Sequence, residues 1–326
     1  MNILILGAGI RNMIIRYFRG ALAGTGKVIA ADCSPLAPAL YEADGYALVP
    51  PYTAPDYLAE VLALCKKEKI RGVFSLIDPE VRFLAGNQAI FADNGIVVIG
   101  SGFESCILAD NKLLLSEWLD AHNFPGIRTW LNQESFLTAI STGQAEFPVM
   151  VKPLYGSASI GMSTVKDAAA LALRFEQESG LIIQEYIKGT EIGADAYIDL
   201  ISGEVVSIFT KRKIKMRAGE TDKAVSFQDP VLFSLLSDFI HEAGFRGPID
   251  IDLFQTENGE YRILEVNARF GGGYPHAHAL GCNHVQMVIN NLAGKVNPRQ
   301  IGGYKTGVAM MKHPEITLLD EQETEF

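Results

Sequence analysis

The chain is short of cysteine, lacks an excess of basic charge and contains no long apolar run, and each shortage closes off a class of function. Its four cysteines, Cys33, Cys65, Cys106 and Cys282, form no CxxC pair and no zinc-like spacing. Buried thiols in a reducing compartment are the expectation. Basic residues number 28 against 38 acidic ones, a net charge of −10. A nucleic-acid or anionic-membrane surface needs surplus Lys and Arg, so neither partner is expected. A few cations inside a pocket can still make a local phosphate site. No apolar stretch approaches the roughly 20 residues of a membrane span. The run from Ile3 to Ile10 is broken by Gly7 and Gly9 and followed by Arg11, without the basic flank or length of a signal peptide. A cytoplasmic location is therefore expected.

What is present is apolar material, 48% of 326 residues, enough for two or three packed modules. Asn2 to Leu6 and Val28 to Ala31 read as buried parallel strands, because a continuous apolar run has no polar face for water. Met13 to Phe18 and Tyr57 to Lys67 have helical spacing, and Gly72 to Ile77 and Ile96 to Ile99 are further strands. This alternation predicts a doubly wound α/β domain over 1–105. The character then changes. Lys112 to His122 reads as a helix, Val149 to Lys152 as a strand, Thr164 to Glu178 as a helix and Leu181 to Tyr186 as a strand. Ile192 to Leu200 and Val205 to Lys213 alternate as antiparallel strands do. Val231 to Ala243 is helical, and Ile249 to Gln255 and Tyr261 to Asn267 form a hairpin around Asn258-Gly259. Divisions are expected at 106–188 and 189–326.

Gly7-Ala8-Gly9 follows a strand and opens a helix, where a dinucleotide pyrophosphate can sit, and Asp32 ends the next strand. Asn12 occupies the place of the third glycine, so an NAD-dependent dehydrogenase is a minor alternative. More chemistry lies downstream. Lys112 opens a helix, and Lys152 ends a strand before Tyr155-Gly156-Ser157-Ala158-Ser159-Ile160-Gly161. A lysine beside such a loop can clamp phosphate oxygens, although the loop is no P-loop. Backbone at Glu185 to Ile187, within Gln184-Glu185-Tyr186-Ile187, can read an adenine, and Glu191 can accept from ribose hydroxyls. Glu265 and Asn267 lie two apart on one strand and Asp252 on its neighbour. Two carboxylates and an amide oxygen suit Mg²⁺, or Mn²⁺, with phosphate and water completing the shell. Arg269 beside them can neutralise a transferred phosphoryl group.

Taken as an ordered set, Val151-Lys152-Pro153 with its Gly/Ser loop, Gln184 to Glu191, and Glu265-Val266-Asn267-Ala268-Arg269 resemble the ATP-grasp superfamily. The likeness is greatest to a single synthetase unit of the carbamoyl-phosphate synthase large chain. The resemblance implies an N-terminal Rossmann-like domain followed by an α+β fold whose two subdomains grip ATP. It implies that Lys112, Lys152, Gly156, Ser157, Ser159 and Gly161 meet the phosphates, that Gln184, Glu185, Tyr186 and Ile187 meet adenine, and that Glu191 meets ribose. Asp252, Glu265 and Asn267 would hold magnesium, and Arg269 would face an acyl phosphate. Small-molecule carboxylate and amine or ammonia substrates follow, and a homodimer stays open. After Arg269 the segment Phe270-Gly271-Gly272-Gly273-Tyr274-Pro275 replaces a more polar stretch of the synthase, so bicarbonate and amino-acid chemistry both remain open.

Three further features stand outside this set. Lys211, Arg212, Lys213, Lys215 and Arg217 either reach phosphate or substrate or form a solvated face. Glu220, Asp222 and Lys223 read as a mobile loop over substrate. His276 and His278 share one face of an extended segment without a third metal ligand. A nucleotide-binding regulator without catalysis is the remaining alternative function.

Overall fold

Five short strands pair in parallel to start the molecule: β1 (Asn2–Leu6), β2 (Val28–Asp32), β3 (Gly45–Leu48), β4 (Ile70–Ser75) and β5 (Val97–Val98), in the order β3-β2-β1-β4-β5. The computed structural model describes residues 1–155 and 161–320. Because side chains alternate along β1, Ile3 and Ile5 pack with the helix Asn12–Leu22, while Leu4 and Leu6 pack with Tyr57–Lys67 on the opposite face. This is the doubly wound domain the sequence implies. Among the described residues Cys33 is exposed, against expectation, and the other three cysteines are buried and unpaired.

A four-stranded antiparallel sheet follows, β6 (Thr129–Trp130), β7 (Val149–Pro153), β8 (Ser163–Val165) and β9 (Leu181–Glu185), ordered β6-β9-β7-β8. Phe136, Val149, Val151, Leu171 and Ile183 form a core of its own. The helix expected from Thr164 begins at Ala168 instead. Pairing of Val149 with Val165 keeps 163–165 extended, and the Asp167 side chain caps the helix by accepting from Ala170 N at 2.9 Å.

The last and largest sheet is antiparallel: β10 (Gly189–Ile198), β11 (Val205–Arg217), β12 (Glu220–Phe227), β13 (Gly247–Thr256), β14 (Tyr261–Asn267) and β15 (Ala309–Met311), ordered β14-β13-β10-β11-β12-β15. Glu220, Asp222 and Lys223 lie on β12, not in a loop, because the ladder to β11 runs out to Arg217↔Glu220 before Ala218 and Gly219 turn at positive φ. The helices Phe103–Asp110, Lys112–Ala121 and Pro230–Glu242 cover one face. The other face shares a core with the parallel domain, where Phe18 and Ile5 join Tyr197, Phe209, Tyr274 and Val285.

His276 and His278 sit on the helix Tyr274–Ala279 and not on an extended segment. His276 Nε2 lies 3.0 Å from Val308 O, and His278 stacks on Tyr17 at 3.7 Å. Burial, with Lys211 nearby, draws His276 down to about 4, so both rings read as packing groups.

The basic run divides along β11. Arg212, Lys215 and Arg217 are exposed, Lys213 turns inward, and Lys211 is fully buried in an ion pair with Asp195. Removing one member of such a pair strands a buried charge. Lys211→Met is expected to lower stability by about 3–5 kcal/mol, and adding Asp195→Leu should recover most of it. Urea midpoints of the three proteins check this. A neutral single substitution would contradict the buried pair.

Candidate active site

A bulge places the central acids. Leu253 pairs with Ile263 and Asp252 with Glu265, so Leu264 is an extra residue on β14. Strict alternation would send Glu265 and Asn267 to the same side as Tyr261 and Ile263, which are buried in the core. The extra residue reverses the phase. Glu265 then faces out beside Asp252, and Asn267 beside Asp250, while Val266 pairs with Ile251 inside.

These side chains open on a cleft of about 810 Å³ between the small sheet and the large one. Lys112, Lys152, Gln184, Glu185, Tyr186, Ile187, Glu191, Asp252, Glu265, Asn267 and Arg269 all line it. The structure thus brings together residues scattered over more than 150 positions of sequence. Gly161, at positive φ, packs by Pro153 and is not among the lining residues. Gly156, Ser157 and Ser159 lie outside the described residues. Ile127, Met150, Leu264 and Phe254 give the cleft apolar walls.

Charges of both signs face one another across it. Lys213 Nζ lies 2.8 Å from Glu191 Oε1 and 2.7 Å from Asp252 Oδ1. Burial opposes that ammonium, but the two carboxylates outweigh it and hold Lys213 above the ordinary lysine range. Lys152 behaves oppositely. Burial, aided by Lys112, draws it down to about 8 against the pull of Glu265 and Asp252. Arg269 is 8% exposed. Its Nη2 donates to Asp78 Oδ2 at 2.9 Å and Asn267 Oδ1 at 3.1 Å. Its Nε is buried and has no partner among the described residues. A buried cationic donor left open calls for an anion.

Four further residues belong here: Lys213 of the basic run, Glu220, expected in a loop over substrate, and Arg11 and Asp250, for which the sequence implies no such role. All four line the cleft. Period two along β11 could have separated Lys211 and Lys213 from Arg212. Nothing in the sequence brings Arg11 to β12, where its Nη1 lies 2.6 Å from Glu220 Oε1.

The N-terminal glycine loop is closed internally. Gly9 N donates to Asp32 Oδ2 at 2.9 Å, and a Cβ on Gly7 would fall 2.9 Å from Glu80 Oε2. Those carboxylates occupy the turn that a pyrophosphate would need, which argues against the dehydrogenase reading.

Residues 109–273 match the family model described as an ATP-grasp domain. The chain belongs to the ATP-grasp family. Residues 3–99 match the PylC-like N-terminal domain, so the resemblance read from the lysine, loop and Glu-x-Asn-x-Arg segments holds. The chain is 33% identical over 276 residues to the carbamoyl phosphate synthase large chain of Clostridium acetobutylicum, covering 76% of this chain and 24% of that protein. It therefore spans about a quarter of the synthase. It is 26% identical over 264 residues to the D-alanine–D-alanine ligase of Pseudomonas putida, covering 74% and 81%. In fold it is similar to the biotin carboxylase domain of 2-oxoglutarate carboxylase from Hydrogenobacter thermophilus. There the TM-score is 0.76 at 16% identity, over 94% of this chain and 73% of that one. The L-amino acid ligase of Bacillus licheniformis gives 0.67 at 18%, over 91% and 75%. These matches place the chain in the ATP-grasp ligase family. Among the described residues no helix is long and apolar enough to cross a membrane.

The depressed Lys152 gives a role-independent check. Its acetylation by an amine-selective reagent, followed by peptide mass spectrometry, should reach half-maximum near pH 8. Half-maximum at the ordinary lysine value would contradict the buried, lysine-flanked setting.

Proposed function

We propose that the cleft binds ATP with magnesium and that the ATP-grasp ligase converts a carboxylate substrate to an acyl phosphate, which an amine or ammonia then displaces. The observation that carries this is the convergence of Asp252, Glu265 and Asn267 with Lys112, Lys152 and Arg269 on one cleft. The donor set fits the metal. Among the described residues no three His, Cys, Asp or Glu side chains gather to hold an ion alone. Two carboxylates and an amide oxygen suit a hard cation that takes its other ligands from phosphate and water. Magnesium, or manganese, would supply neutralisation of phosphate charge there.

The chain's own groups do the rest. Lys112 and Lys152 would receive the phosphate oxygens, and burial at Lys152 strengthens that contact. Glu185 N–H is already bonded to Arg128 O at 2.9 Å, so its carbonyl and the N–H of Ile187 would pair with adenine between apolar walls. Gln184 and Tyr186 flank that edge, and Glu191 would take ribose hydroxyls with the oxygen that Lys213 does not occupy. Gly156, Ser157, Ser159 and Gly161 would cover the phosphates. The substrate carboxylate attacks the γ-phosphorus, ADP leaves, and Arg269 would neutralise the charge that develops. Attack by the amine on the acyl carbon then expels phosphate. Positioning and charge neutralisation lower both barriers without a protein nucleophile.

The test is hydroxamate formation from hydroxylamine with a panel of small acids, ATP and Mg²⁺. The expected outcome is metal-dependent product that falls about 10²-fold or more in Glu265→Ala. Unchanged turnover in that variant would end the metal assignment. Stabilisation by ATP without hydroxamate for any acid would favour a non-catalytic regulator.

A further inference from the structure

On the largest sheet β10 runs between β11 and β13, and Gly193 is the one position of its cleft face where all three strands meet without a side chain on the middle one. It pairs with Lys211 on one side and with Asp252 on the other. Lys213 lies two residues further along β11, on the same face, because side chains alternate along a strand. Its stem crosses β10 to reach an acid on the strand beyond. A Cβ on Gly193 would lie 3.3 Å from Lys213 Cε and 2.9 Å from Lys211 Cε. The glycine therefore makes room for two lysine stems side by side, one ending at Asp195 and the other at Asp252.

The ammonium of Lys213 stands between two acids with different tasks. Its Nζ is 2.8 Å from Glu191 Oε1 and 2.7 Å from Asp252 Oδ1. The lysine side chain is 3% exposed, against 31% for Glu191 and 19% for Asp252. The bridge is thus buried, while each acid stays partly open to the cleft. Glu191 Oε2 and Asp252 Oδ2 have no hydrogen-bond or ion-pair partner among the described residues. One positive charge is shared by two negative ones. If Asp252 loses its charge, the ammonium is left wholly to Glu191, and in a low-dielectric cleft that shift is large. A carboxylate tied fully to an ammonium is a weaker acceptor for a neutral hydroxyl.

We infer that Lys213 is a positioning residue through which the charge of Asp252, at the metal end of the cleft, sets how strongly Glu191 holds the ribose hydroxyls. This rests on the nucleotide reading above and joins two parts of the cleft that otherwise act separately. An ionised Asp252 draws the ammonium toward β13 and leaves an oxygen of Glu191 free to accept from ribose. Loss of that charge lets Lys213 settle on Glu191 and weakens the ribose contact. The linkage is reciprocal, so ribose at Glu191 is felt at Asp252 as well. Neither acid needs to touch the other's ligand for this to operate, because the lysine spans both.

The test measures binding of ADP and of 2′,3′-dideoxy-ADP to the complete chain by calorimetry. It is run without divalent metal and near pH 8, above the value of about 7 to which burial raises Asp252. The ratio of the two dissociation constants reports the ribose hydroxyls alone, since adenine and phosphates are common to both ligands. In the unmodified chain ADP should bind about tenfold or more tighter, the worth of hydrogen bonds to a charged acceptor. Asp252→Asn should cut that ratio about threefold or more, although position 252 touches no ribose. In Lys213→Met, whose stem still fits over Gly193, adding Asp252→Asn should change the ratio less than about twofold. In Lys213→Arg, which keeps the charge, the dependence on Asp252 should return in part. Because each ratio is internal to one protein, incomplete folding does not imitate it. An unchanged ratio in Asp252→Asn, or equal falls with and without Lys213, overturns the inference. A ratio near one in the unmodified chain overturns the placement of ribose at Glu191 on which it rests, and absence of ADP binding overturns the nucleotide reading itself.

Discussion

One extra residue on one strand decides which way the site's acids point. With Leu264 inserted into the ladder, β14 sends Tyr261 and Ile263 into the core and, two residues later, Glu265 and Asn267 into the cleft. The partner strand needs no bulge, because Ile249, Ile251 and Leu253 alternate with Asp250 and Asp252 throughout. Around the bulge the inward pairs Ile251–Val266 and Leu253–Ile263 are apolar, and the outward pairs Asp250–Asn267 and Asp252–Glu265 are polar. A register slip would bury two acids and expose two core residues, so packing on the far face holds the polar face in place. The arrangement of the cleft's acids is thereby stabilised by the hydrophobic core behind it.

The cleft is also a problem in charge balance. Several acids and several cations share a low-dielectric space, and each would be unfavourable alone. The structure resolves this with pairs that have capacity left over. Lys213 ties Glu191 to Asp252, Arg269 ties Asp78 to Asn267, and Arg11 ties Glu220 across to the parallel domain. The open Nε of Arg269 and the depressed Lys152 mark where that balance is incomplete without an anion. The shared core between the parallel domain and the largest sheet makes the Arg11 contact a fixed one, since Phe18 and Tyr274 belong to the same packed cluster.

Much of this was legible beforehand, for identifiable reasons. Tyr57–Lys67 and Tyr261–Asn267 have the bounds expected of them, because a helical stripe and an Asn-Gly hairpin are local signals. Lys152, Asp252, Glu265 and Asn267 could be grouped because residue type and order carry the chemistry. Long-range pairing was not legible. The Leu264 bulge, the burial of Lys211 against Asp195 and the continuation of β12 through Glu220 depend on partners far away in sequence. Arg11 looked like the edge of a dinucleotide turn, and only its arrival beside Glu220 shows where it belongs.

The central claim is that the acids set by the bulge hold a metal-bound nucleotide. Calorimetric titration of ADP into the unmodified chain and into Glu265→Gln, each with and without Mg²⁺, tests it most directly. Magnesium should tighten ADP binding about tenfold or more in the unmodified chain and leave Glu265→Gln almost unaffected. Equal tightening in both would contradict the account.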